Sequence, residues 1–149
     1  MAGHRLSGRE GFSLIEVLVA LAILAVGLLA LAVFQITAIR GNAIASKWTV
    51  ATQLSQDRLD RFRHFQWDNI VSSPAGGYNT GTMQPVYGNL PGAQGDNVAS
   101  RGTPFYRVWH VNNNSATLKT ITVWTCWQDE MARWHSVMLV AQRVNIGGV

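Results

Sequence analysis

From Val17 to Phe34 the chain runs for 18 residues without a charge or a strongly polar side chain. Extended back to Phe12, the run is 23 residues, or about 35 Å as an α-helix. That length crosses a hydrocarbon core with some tilt. The eleven residues before it, MAGHRLSGREG, are polar and basic. An ordinary secretory signal is cut after its apolar run, at small residues. The Ala20-Leu21-Ala22 triplet has that look, but more apolar sequence follows it. The run therefore reads as retained, with its N-terminus on the cytoplasmic side and the rest of the chain exported. Hydrophobic residues make up 48% and charged residues 13% of the whole. The apolar excess is concentrated in this run, and from Gly41 onward the composition is that of an ordinary globular domain.

Glu16 breaks the pattern. It falls in the first turn of the apolar helix, where a carboxylate at membrane depth costs about 3 kcal/mol. The positive end of the helix dipole offsets part of that. Two readings stay open on position and chemistry alone: Glu16 reaches the membrane interface, or it pairs with a cation at similar depth.

Gly11-Phe12-Ser13-Leu14-Ile15-Glu16 resembles the processing signal of type IV prepilins and type II secretion pseudopilins. The resemblance lies in Gly before the cut, Phe after it, and Glu four residues beyond that Phe. It implies cleavage between Gly11 and Phe12 by a prepilin peptidase, and N-methylation of the new Phe12 amine by the same enzyme. It also implies that Glu16 serves methylation and subunit packing, paired with the Phe12 ammonium of a neighbouring subunit. An α-amine titrates near pH 8 and is largely cationic. Ile15-Glu16-Val17-Leu18-Val19-Ala20-Leu21, Gly27-Leu28-Leu29 and Phe34-Gln35 look like the helix of PilV-type minor pilins, the type IV pilus modification proteins. Ala30 stands where those proteins often carry Gly. Minor pseudopilins share the stretch EVLVALAIL.

Beyond the apolar run, helical periodicity continues. Ile44, Trp48, Ala51, Leu54, Arg58, Phe62 and Phe65 recur at three- and four-residue spacing, with polar residues between them. One helix is expected from about Phe12 to about Phe65, apolar all round in its first half and one-faced in its second. Gly27 and Gly41 are its weak points. Packing against a downstream sheet is a simpler use of that face than a coiled-coil dimer. Residues 71–104 hold four prolines and seven glycines and read as a long loop. Tyr78, Met83, Val86, Tyr87 and Leu90 are placed to pin it to the body. The loop is either a partner-facing surface or a passive connection. From Phe105 onward, alternating segments over 105–111, 118–127 and 133–145 predict three strands in an antiparallel meander. Asn112–Ser115 and Gln128–Met131 are the expected turns. Trp109, Trp124, Trp127 and Trp134 supply core area to a small domain.

The expected fold class is thus α+β: a long N-terminal helix packed by its C-terminal half on a small antiparallel sheet, as the resemblance to pilins also implies. The expected segments are a leader 1–11, an assembly helix 12–39, its amphipathic continuation 40–70, a loop 71–104 and a β-meander 105–149.

Other functions find little support. The net charge is +4 and the basic residues are scattered. Arg58, Arg61 and Arg63 alternate with Asp57 and Asp60, as on a solvated helix face, so no dedicated nucleic-acid binding is expected. Cys126 is the single cysteine, which precludes an internal disulfide. The four histidines do not fall at metal-ligand spacings, no catalytic trio stands out, and neither enzyme activity nor a cofactor or metal is expected. The resemblance instead implies a structural subunit. Its partners would be the prepilin peptidase/N-methyltransferase, major and minor pilins met through helix packing, and the inner membrane before assembly. The alternatives are a minor pseudopilin and a binding module at a filament tip.

Overall fold

The computed structural model describes residues 13–146. Helix α1 spans Leu14–His64 and is followed by a 3-10 turn at Trp67–Asn69. A small hairpin comes next, β1 (Tyr78–Asn79) with β2 (Gln84–Pro85), and then a second 3-10 turn at Tyr87–Asn89. Among the described residues four longer strands follow: β3 (Asp96–Ser100), β4 (Thr103–Ser115), β5 (Leu118–Gln128) and β6 (Trp134–Val144). They form one antiparallel sheet in the order β3-β4-β5-β6. The α+β class expected from the sequence is the class observed.

The chain divides into two units at Ala43/Ile44. In the first, every described residue from Ser13 to Ala43 is exposed, including Leu14, Ile23, Leu29 and Phe34. The helix passes through both Gly27 and Gly41. Among the described residues, this is the one helix long and apolar enough to cross a membrane, by length and composition.

The second unit is built around β5. Ile121 to Trp127 are all buried, because both faces of the sheet are covered. On one face lies the helix: Phe62 packs with Ile70, Trp109, Ile121 and Val123, and Ala51 packs with Phe105 and Trp127. On the other lies the segment after the helix: Leu90, Tyr78 and Tyr87 pack with Val108, Trp124, Cys126 and Trp134. Tyr78 stacks on Trp124 and Tyr87 on Trp134. The Tyr87 hydroxyl also meets Ser136 Oγ at 2.9 Å. Trp109, Trp124 and Trp127 are therefore core, and Trp134 packs half-buried against it.

The buried stripe of the helix differs from the expected one. Ser55 belongs to it, fully buried and bonded to Thr125 Oγ1 at 2.6 Å. Ile44, Trp48 and Phe65 remain exposed, since the stripe narrows to the positions that the sheet covers. Trp48 nonetheless sets its edge against Trp127, 5.1 Å between centroids.

The sheet also differs from a three-stranded meander. Asp96–Ser100, within the stretch expected to be loop, is a fourth strand paired with β4. A two-residue turn joins the two, with Arg101 at φ 49° and Gly102 at φ 78°. Positive φ at both centres is what a type I′ hairpin requires. Nor does Asn112–Ser115 turn the chain. These residues extend β4, pairing as far as Ser115↔Leu118 with a bulge between Asn113 and Ser115. Thr120 Oγ1 donates to Asn114 Oδ1 at 2.7 Å, so the Asn run is held by the neighbouring strand.

Candidate assembly site

The first turn of α1 is where the sequence-predicted residues converge. Ser13 precedes the helix as its N-cap. The Glu16 amide donates to Ser13 O at 3.0 Å and to Ser13 Oγ at 3.3 Å. Ser13-Leu14-Ile15-Glu16 has capping-box spacing, Ser at N-cap and acid at N3. Glu16 thus lies in the first turn, where the helix dipole favours a negative charge. Among the described residues, Glu16 is in no ion pair. Gly11 and Phe12, the expected cleavage pair and methylation site, lie outside the described residues. Ser13 was not singled out in the sequence, although Ser-x-x-Glu ahead of an apolar run is a readable signal.

Behind this head, no charged side chain appears until Arg40. A helix satisfies its backbone groups internally, which is what a hydrocarbon surround requires. With every apolar side chain from Leu14 to Ile39 turned outward, this segment calls for either lipid or other helices around it.

In the second unit the most buried charge is Arg107. Its side chain is only 3% exposed. Nε donates to Asp96 Oδ1 at 2.6 Å and an Nη to Asp96 Oδ2 at 2.7 Å, a bidentate pair. The other Nη donates to the Leu54 carbonyl at 3.0 Å and to Asp57 Oδ2 at 3.1 Å. Arg107 on β4 therefore clasps β3 and α1 together. Burial acts to lower its pKa, but the hydrogen bonds and charges of Asp96 and Asp57 outweigh that and raise it. Arg58 lies 3.8 Å over the Trp109 ring and 3.7 Å from Asp96. Its pKa is lowered, by burial first, against the pull of Asp96. Arg58 thus turns inward and Asp57, half-exposed, bridges Arg107 and Arg61, whereas Asp60 and Arg63 lie on the solvated face expected of all five.

Two more groups are chemically distinct. Cys126 is fully buried, and burial pushes its thiol up to about 12. Asp129 organises the β5–β6 turn. It accepts from the Met131 and Arg133 amides at 2.9 Å each, from Arg133 Nε at 2.8 Å, and meets His135 Nε2 at 3.1 Å. The His135 hydrogen bond, then those from Arg133, hold its carboxyl well below the usual carboxylate range. Among the described residues, no group of three His, Cys, Asp or Glu side chains is placed to hold a metal ion.

Residues 6–32 match the family described as Prokaryotic N-terminal methylation motif. This chain carries a type IV prepilin-like N-terminus. The matched residues take in the head of α1 with Glu16 and none of the sheet. No curated protein and no solved structure matches the chain.

Proposed function

We propose that the chain is a minor pilin of the PilV type, incorporated into a type IV pilus or priming its assembly. The observation that carries this reading is Glu16, in the capped first turn of a helix whose apolar side chains from Leu14 to Ile39 are all exposed. On this reading residues 1–11 are removed by cleavage between Gly11 and Phe12, and the Phe12 amine is methylated. The segment 12–39 first spans the inner membrane, with the N-terminus cytoplasmic and the second unit periplasmic. On assembly it leaves lipid for a bundle of like helices. The Phe12 ammonium of one subunit then reaches Glu16 of another, where a low dielectric strengthens the pair. PilV-like character rests on LIEVLVAL, GLL and the terminal Gln35.

Mass spectrometry of sheared surface filaments tests this. The expected species starts at a methylated Phe12. Recovery only from periplasmic pseudopili would make the chain a minor pseudopilin. An uncut chain confined to the membrane would overturn both. A Glu16→Ala variant should still be cut at Gly11 but should fail to enter filaments.

A further inference from the structure

The two edges of the sheet are built differently. β3 is five residues, DNVAS, short and polar, with Asp96 tied into the Arg107 clasp. Such an edge is guarded against further pairing. β6 is eleven residues, WHSVMLVAQRV, without proline or a bulge against β5. Its single Lys or Arg, Arg143, donates to the Phe62 carbonyl on the helix side and so does not guard the edge.

The phase of the β5–β6 ladder shows which groups face outward. Asp129 N–H bonds Arg133 O at 2.9 Å and Asn145 N–H bonds Thr117 O at 2.7 Å. In antiparallel pairing such bonded pairs alternate with non-bonded ones. The odd-numbered residues of β6 therefore turn their backbone groups to β5. The even-numbered residues, including Ser136, Met138, Val140 and Gln142, turn theirs away from the sheet. On these same even-numbered positions Met138 is 52% exposed and Val140 54%. The outward backbone row and the exposed apolar side chains coincide.

We propose that β6 pairs with β6 of a second copy of this chain, antiparallel about a two-fold axis at Leu139. This is the register that pairs the full strand, Trp134 against Val144 at both ends. It sets even-numbered residues opposite even-numbered ones, so the outward amides and carbonyls bond each other. It also sets Met138 against Val140 twice, an apolar cross-strand pair. Ser136 then faces Gln142. A closed, isologous contact is what a self-complementary edge produces. The inference rests on the sheet alone and is independent of the pilus reading.

The test uses the full chain in membranes, made in two differently tagged forms, Met138→Cys and Val140→Cys. The buried Cys126, its thiol held far from ionisation, does not compete for oxidant. Mild oxidation is expected to join the two forms into one disulfide-linked dimer. A Val71→Cys pair, equally exposed, should give none. Sedimentation of the purified chain in micelles supplies a second measurement. Val140→Pro removes an outward N–H without touching the β5 ladder, and Val140→Lys adds charge beside Met138 while keeping that N–H. Each is expected to lower the dimer fraction at least tenfold, with tryptophan fluorescence unchanged in at least the lysine variant. Absence of the crosslink, a crosslink to a different protein instead, or a dimer unmoved by both substitutions would overturn the proposal.

Discussion

Helix α1 has two halves that the same backbone geometry serves in different surroundings. From Leu14 to Ala43 no side chain is covered. From Ile44 to His64 three are, Ala51, Ser55 and Phe62, with Leu54, Arg58 and Leu59 half-buried beside them. In the first half Leu, Ala and Val occur on every face, so no direction is preferred. In the second, apolar residues fall on one stripe and charges on the rest, so one direction is. The first half is suited to a surround supplied from outside the chain, the second to one that the chain builds for itself. Substitutions in the two halves should accordingly be read out by different measurements.

The clasp should show the largest effect. Arg107→Ala leaves the half-buried Asp96 without its bidentate partner and removes the link from β4 to the Leu54 carbonyl and Asp57. Hydrogen bonds to charged groups contribute about 1.5–3 kcal/mol each, so loss of the bidentate pair costs about 3–5 kcal/mol. Thermal unfolding followed by tryptophan fluorescence should record that loss, while membrane insertion of the first half stays normal. A loss of insertion would mean that the halves are not separable in this way.

The sharpest form of the comparison is one residue type in two places. Phe62 is 1% exposed and Phe34 70% exposed. Phe62→Ala should destabilise the second unit by about 3–5 kcal/mol, the usual range for a buried aromatic. Phe34→Ala should leave that stability within about 0.5 kcal/mol. Denaturant titration of both variants decides it. Equal losses would mean that Phe34 is covered within a single chain.

Smaller effects belong to the first turn. Ser13→Ala removes the hydroxyl that accepts from the Glu16 amide. Loss of such a cap costs about 1 kcal/mol of local helix stability. Hydrogen exchange at the Glu16 amide should quicken about fivefold, with protection of the β5 amides unchanged.

The smallest is the acid response of the β5–β6 turn. The folded state holds Asp129 below its ordinary range. Stability from this group is therefore full above the unfolded carboxylate pKa of about 3.9 and is lost as pH falls below it. Asp129→Asn should flatten the acid limb of a pH–melting curve below about pH 4 without changing the neutral plateau's shape.

Which parts of the molecule were legible in the sequence follows from how local their causes are. The helix announces itself by unbroken periodicity across Gly27 and Gly41. β5 and β6 announce themselves by β-branched and aromatic runs. β3 does not: Asp96-Asn97-Val98-Ala99-Ser100 has weak strand propensity, and Arg101-Gly102 is not among the usual hairpin turn pairs. It is a strand because β4 offers it a ladder and Arg107 holds Asp96 against that ladder. Asn112–Ser115 looks like a turn by composition and is a strand because β5 is long enough to pair with it. Ser55 looks like a polar interruption of the stripe, yet Thr125, seventy residues away, gives its hydroxyl a partner. At the head of the helix, by contrast, Glu16 and Ser13 were both readable, because a cap is set by residues three apart.

Sequence alone determined the apolar segment, its acidic head and the methylation motif, because these depend on the order of side chains along one helix. Tertiary structure decided which strands exist, which face of the helix is buried and which edge of the sheet stays unguarded. Those outcomes depend on hydrogen bonds and ion pairs between elements, over separations that run from eleven residues for Arg107 with Asp96 to fifty or more for Arg107 with Leu54 and Asp57. Only the folded chain brings such partners within reach.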